Sequence, residues 1–256
     1  MPRPVDVLIG FGANFFDTWG ISSFATTTAA FKLTGRVSDE QIPGTLNAGH
    51  ALPTILQAVI FIVAVSVDRV TLVTLIAAAV AGAWFGSGIV SRLAKQQVRV
   101  GMVVAMLVAA AMLTATNLHL MPGGGNAVGL SAGPLVFAAG VNCGLGALMT
   151  LGVGLYAPCL ILVSLLGMSP MAAFPIMMGS CAFLMPVGAV RFIQQGRYDV
   201  RAALGLTLGG IPAVLVAAFM VKSLPVVWMR WLVVGVVLYT ATMMLLAAWR
   251  GRAESL

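Results

Sequence analysis

The residues that could do chemistry are few, and they sit inside apolar runs. Asp17 comes three residues before Gly20, and Ser22, Ser23, Thr26, Thr27 and Thr28 follow it closely. An ionised aspartate at the centre of a bilayer costs roughly 2.5–3.5 kcal/mol on insertion scales. Asp17 must therefore be protonated, face water or take a partner. It reads either as a proton carrier or gate, or as a carboxylate capping the helix that starts near Gly20. His50 has Asn47 about one helical turn away on the same face. It reads as a substrate or proton ligand, or as a hydrogen-bonded packing residue. The second half of the chain offers Gly152, Gly154, Tyr156 and Cys159, then Gly179-Ser180-Cys181. Helix starts carry unpaired N–H groups and about +0.5 elementary charge. With hydroxyls added and no fixed cation, such starts describe an anion site. The plainer alternative is that these small residues only let helices pack closely.

These groups must be positioned by elements that recur. Gly20-Ile21-Ser22-Ser23-Phe24-Ala25-Thr26-Thr27 returns 132 positions later as Gly152-Val153-Gly154-Leu155-Tyr156-Ala157-Pro158-Cys159. The same offset maps Gly35 onto Gly167 and Pro43 onto Pro175, and an offset of 131 maps Asp68 onto Asp199. Asn14 and Asn142 form a further matching pair. On this alignment Gly179-Ser180-Cys181 falls where Asn47-Ala48-Gly49 stands and lines the same cavity. A duplicated hydrophobic unit, interrupted in matching places, is the sequence pattern of secondary transporters.

Of the 256 residues, 60% are hydrophobic and only 8% are charged. Soluble domains carry about 25% charged residues, so the chain reads as a polytopic membrane protein with the lipid bilayer as its surroundings. The net charge of +7 sits in short clusters between apolar runs without interleaved aromatics, which argues against nucleic acid as a partner. Five hydrophobic blocks are expected in each half, over 6–19, 20–33, 43–66, 70–91 and 98–116, then 134–149, 152–167, 172–190, 202–221 and 230–248. A spanning helix needs roughly 20 residues, so the first two blocks of each half look too short to cross. Lys and Arg positions decide how they run. If each short pair made one crossing, seven cations would fall on each side. If each pair enters and returns as a hairpin, eleven cations share a side with the N-terminus, and only Arg69, Lys222 and Arg230 lie opposite.

The expected fold is therefore all-α: two inverted repeats, each with a re-entrant or broken helical hairpin plus three transmembrane helices. The repeats are residues 1–120 and 134–256, with an outer linker at 121–133. The location expected is a bacterial cytoplasmic (inner) membrane, with both termini cytoplasmic. Inversion would bring the helix starts at Gly20 and Gly152 to one midplane point.

Other motifs have plainer readings. Pro122-Gly123-Gly124-Gly125 lacks a following Lys-Ser/Thr and reads as linker rather than phosphate loop. Cys143, Cys159 and Cys181 form no CxxC pair, so no metal site or disulfide framework is expected. The prolines at 43, 53, 175 and 186 suit kinks beside the site, and Gly82, Gly86 and Gly88 form a helix-contact face. Asn14-Phe15-Phe16-Asp17 is a poor cleavage site, so the first apolar run is expected to belong to the mature protein.

The two-fold repeat, the glycine-rich interrupted openings and the basic loops Arg92–Arg99 and Arg191–Arg201 resemble the sulfite exporter family of the TauE/SafE type, the four-toluene-sulfonate uptake permeases. The resemblance covers essentially the whole chain. It implies a carrier of sulfite-type or other small organic anions, with Gly20 to Thr27 and Gly152 to Cys159 forming the site. Where that family commonly has a glycine cluster, this chain has Gly20-Ile21-Ser22-Ser23 and a threonine-rich stretch, which adds hydroxyl donors. Some thiosulfate-carrying relatives use membrane cysteines, which keeps Cys143, Cys159 and Cys181 in view. The expected function is a secondary transporter of a small anion by alternating access, with protons as a candidate coupling ion through Asp17 or His50. No cofactor is expected, and a homodimer stays open. A carboxylate carrier and an anion channel are the alternatives. An intramembrane enzyme fits poorly: an aspartyl protease needs two carboxylates sharing a proton, and Asp17 stands alone among the midmembrane residues. A serine protease needs a placed Ser–His pair, and no nucleophile signature accompanies His50.

Overall fold

The computed structural model describes residues 1–38, 41–90, 118, 125–149 and 155–222, and beyond them 231, 235, 238, 242 and 246. Its eight described helices are α1 (Pro4–Thr18), α2 (Ser23–Thr34), α3 (Ile42–Ala64), α4 (Arg69–Val90), α5 (Ala132–Met149), α6 (Tyr156–Leu165), α7 (Pro170–Gln194) and α8 (Val200–Lys222). The described residues contain no strand, only an isolated bridge between Ala127 and Met168. By length and composition, α3, α5, α7 and α8 can each cross a membrane. At about 1.5 Å per residue, the 12 residues of α2 and the 10 of α6 reach about 18 and 15 Å, well short of a roughly 30 Å core.

The apolar blocks match these helices to within a few residues, with two corrections. The helix α5 has 18 residues and spanning length, although its block looked too short. It starts at Ala132 because Pro134 is tolerated in the first turn, where its missing N–H would be unpaired anyway. The second correction is at Gly20, which ends α1 rather than starting α2. The Gly20 N–H donates to the Asp17 carbonyl and the Ile21 N–H to the Phe16 carbonyl. With Gly20 at φ +92°, this is a Schellman stop that glycine adopts without strain. The blocks at 98–116 and 230–248 lie outside the described residues, apart from isolated helical positions in the second.

Contacts between loops sort the helix ends into two groups. At one end, Arg3 pairs with Asp199 at 3.8 Å and Arg36 with the buried Asp6 at 3.7 Å, and the Asp199 N–H donates to Thr45 Oγ1. The start of α1 and the end of α2 are thus neighbours. At the other end, the Asp68 N–H donates to the Val128 carbonyl, the Leu130 N–H to Thr71 Oγ1, and the Ser169 N–H to the Ala127 carbonyl. There the segment leading into α5 lies beside the turn that leaves α6.

The helices pack in matching pairs: α1 on α8, α5 on α4, and α3 on α7. Apolar surface gives little drive to associate in lipid, so close approach of small residues must hold such pairs. A Cβ on Gly209 would strike the Val7 carbonyl, and one on Gly10 would lie 2.5 Å from the Leu206 carbonyl. In the other pair, a Cβ on Gly82 would strike Cys143 and one on Gly146 would strike Ala79. Asn142 adds a hydrogen bond of 2.7 Å to the Leu75 carbonyl, tying α5 to α4. The interior is filled by α7, with Phe174, Ile176, Met177 and Met178 fully buried and Phe174 stacked on Phe61 at 5.3 Å. Leu8, Val63, Phe85, Val136 and Phe219 stand exposed, as lipid-facing side chains do.

Candidate functional site

Where α1 stops, its last turn, the start of α2, the middle of α3 and the start of α6 enclose a run of buried polar groups. It begins at Thr27, whose Oγ1 lies 3.0 Å from His50 Nε2. His50 Nδ1 lies 2.9 Å from Asn14 Nδ2, and that amide also donates to the Gly10 carbonyl at 2.7 Å. Asn14 Oδ1 also lies 3.2 Å from Nδ1, so the Asn14 amide can serve either imidazole tautomer while Thr27 serves Nε2. Thr18 donates to the Asn14 carbonyl at 2.8 Å and accepts from Gln57 Nε2 at 2.9 Å. Tyr156 donates to Gln57 Oε1 at 3.2 Å, which joins α6 to the run.

Asp17 lies beside this chain, 2% exposed. Its Oδ1 accepts the backbone N–H of Ser23, the first residue of α2. The Schellman stop makes this possible, because it reverses the chain within Trp19–Ser22 and lays the last turn of α1 against the first amide of α2. Gln57 and Tyr156 approach the carboxyl group, and Tyr156 in turn has Thr54 beside it. Asp17 Oδ2, Ser23 Oγ and Thr54 Oγ1 nevertheless make no hydrogen bond of good geometry, although the Ser23 side chain lies beside the carboxyl group and Thr54 beside Tyr156. Buried polar atoms are rarely left unpaired, at about 1–3 kcal/mol each. Three together mark a place suited to a further polar occupant.

Other expected site residues are placed differently. The start of α2 was expected to offer its amides to an anion, with Asp17 either a proton carrier or gate or a cap on that helix; Asp17 accepts its first N–H. Ser22 is the residue before the helix, half-buried, with no side-chain capping bond. Thr26 turns its hydroxyl back to the Ser23 carbonyl at 3.1 Å. Asn47 does not join His50: its amide donates to the Pro43 carbonyl at 2.8 Å, and its side chain abuts Gly188 of α7. Ser180 donates to the Ile176 carbonyl at 2.8 Å, and Cys181 Sγ lies 3.6 Å from Met149 Sδ. Cys159 is a fully buried free thiol. Gly152 and Gly154 lie outside the described residues. Among the described residues, no group of three His, Cys, Asp or Glu could hold a metal ion.

Thr18, Thr54 and Gln57 were missed. The signal existed: His50, Thr54 and Gln57 follow one another at i, i+4 and i+7, a polar stripe along one face of an otherwise apolar helix. Thr18 likewise follows Asn14 by one turn.

No family model matches the chain, and no curated protein or solved structure matches it either.

Proposed function

We infer that this membrane protein is a secondary transporter of a small anion, working by alternating access around the polar run between α1, α2, α3 and α6. One observation carries the reading. Asp17, Ser23 and Thr54 leave three buried oxygens unpaired at a helix start inside a bundle of apolar helices. Intramembrane ionisable and polar groups gathered in this way mark substrate or ion paths. The reciprocal packing of α1 on α8 and α5 on α4 supports a two-fold related architecture. The return of α2 to the end where α1 starts, and of α6 to the end where α5 starts, supports inverted repeats with re-entrant hairpins. Arg3, Arg36 and Arg197 lie at one end and Arg69 at the other, which favours a cytoplasmic N-terminal end in a bacterial inner membrane. The resemblance to sulfite exporters of the TauE/SafE type suggests a sulfonate or sulfite-type substrate.

The test is uptake into proteoliposomes of a panel of sulfonates, sulfite and small carboxylates. Saturable accumulation of at least one anion above empty liposomes is expected. Equal leakage with and without protein for every anion would remove the reading. Flux that never saturates would favour a channel.

A further inference from the structure

We propose that the ionised carboxylate of Asp17 holds the anion position at the start of α2, so that a substrate anion and ionised Asp17 are alternatives and each anion bound brings one proton onto Asp17. This deepens the anion-carrier reading and rests on it. The Ser23 N–H, the natural first donor to an anion at this helix start, is bonded to Asp17 Oδ1. Asp17 Oδ2, Ser23 Oγ and Thr54 Oγ1 lie around that contact, each in a side chain at least nine-tenths buried and none in a hydrogen bond of good geometry. Two negative charges cannot share so buried a place, because like charges at short range in a low-dielectric interior repel strongly. A single negative charge would find one fixed donor there, the Ser23 N–H, together with the neighbouring hydroxyls.

The exchange keeps that charge constant. Without substrate, Asp17 is ionised and capped by Ser23. With a monoanion bound, the proton taken from bulk water sits on Asp17, and the anion takes the Ser23 N–H and the free hydroxyls. The O–H of the protonated acid becomes a donor to the same anion. No covalent bond beyond that O–H forms or breaks. The other titratable groups facing the place are His50 from α3, Tyr156 and Cys159 from α6, and Cys181 from α7. His50 is already bonded at both ring nitrogens, to Asn14 and Thr27. Among the described residues, no Lys or Arg is bonded to any member of the run.

The experiment measures binding and proton uptake together, in detergent at low buffer strength, using methanesulfonate, nitrate and acetate as probes. For wild-type protein, affinity for at least one probe is expected to fall about tenfold per pH unit once Asp17 is ionised, as linkage of one proton requires. One proton should be taken up per anion bound. Asp17→Asn imitates the protonated acid and retains an oxygen that can cap Ser23. It should bind the same probe with an affinity that does not change with pH, and with no proton uptake. Wild-type binding without proton uptake would overturn the coupling and leave the carrier reading standing. Proton uptake persisting in Asp17→Asn would overturn the assignment to Asp17. Failure of every probe to bind either protein at any pH would overturn both readings. The wild-type stoichiometry needs no variant, so poor folding of Asp17→Asn does not shield the proposal.

Discussion

The helix pairs α1–α2 and α5–α6 are held by different forces. The first, α1–α2, is fastened at its open end by charge, with Arg36 against the buried Asp6. The second, α5–α6, is fastened by backbone, with Ala127 bridged to Met168 beside its closing turn. Their interiors differ in the same sense. Asn14 reaches His50 and through it Thr27, whereas Asn142 spends its amide on the Leu75 carbonyl of the neighbouring helix. Gly49 rests on Leu206 of α8 and Gly179 on Ile76 of α4, so by helix contact Ser180 stands beside the second approach as His50 stands beside the first, although the 132-residue offset sets Ser180 against Ala48. Ser180 only bonds back within its own helix. Among the described residues the connected polar run lies with α1, α2 and α3, whereas α5 and α6 hold Asn142 Oδ1 and Ser164 Oγ as separate unpaired atoms.

The sharpest way to break this contrast is at the fastenings. Arg36→Gln takes away the cation 3.7 Å from buried Asp6 and leaves Arg3 as its remaining neighbouring charge; removing one partner of such a pair is destabilising. Thermal unfolding in detergent should show a large drop, restored in part by also replacing Asp6 with Asn. Met168→Leu alters the second fastening without touching its backbone bond and should unfold close to wild type.

The helix seams come next, and here the two halves should behave alike. Gly82→Leu and Gly209→Leu each drive a side chain into a facing backbone, at about 1–3 kcal/mol or more for overpacking. Both should lower the unfolding temperature, while Gly133→Ala, with open space at its Cβ, should not. A seam variant that unfolds like wild type would show that this pair does not hold its hairpin.

The buried polar groups should then separate the halves again. His50→Ala strips a partner from both Asn14 and Thr27, each costing about 1–3 kcal/mol if left unpaired. It should depress both stability and anion uptake. Ser180→Ala removes one bond within a helix and should leave uptake near wild type. Equal loss of uptake in both variants would erase the distinction between the two interiors.

The smallest effect is expected at Asp68, outside the membrane-spanning segments. The Thr71 N–H and hydroxyl beside it hold its carboxyl below the ordinary value of 3.8. A depressed value in the folded state means that its contribution is present above that pH and fades as pH falls below it. Asp68→Asn should therefore lower the unfolding temperature slightly near neutral pH, with the difference from wild type shrinking on acidification.

Much of this was legible before any coordinates. Apolar runs bounded by charges set the helices, because length and hydropathy govern them directly. Asp17, His50, Thr27 and Tyr156 were conspicuous as polar residues in such runs, and all four meet in one cluster. Gln57 and Thr54 were not, since a single amide or hydroxyl in a long apolar helix carries little weight until its face is known. The role of Gly20 could not be read either. Glycine serves a helix start and a helix stop equally well, and only its positive φ and the two Schellman bonds decide between them. That one choice places Asp17 at the start of α2, where capping was one of the two readings its position allowed.

The most direct test of the central claim is to locate a bound anion. Bromomethanesulfonate carries one negative charge and a bromine visible by anomalous scattering. Crystals grown with it at acid pH should give a bromine peak beside Ser23, Thr54 and Tyr156, with the sulfonate on the Ser23 amide. A peak confined to the region of Ser180 and Cys181, or no ordered peak although the protein binds the anion in solution, would contradict the account.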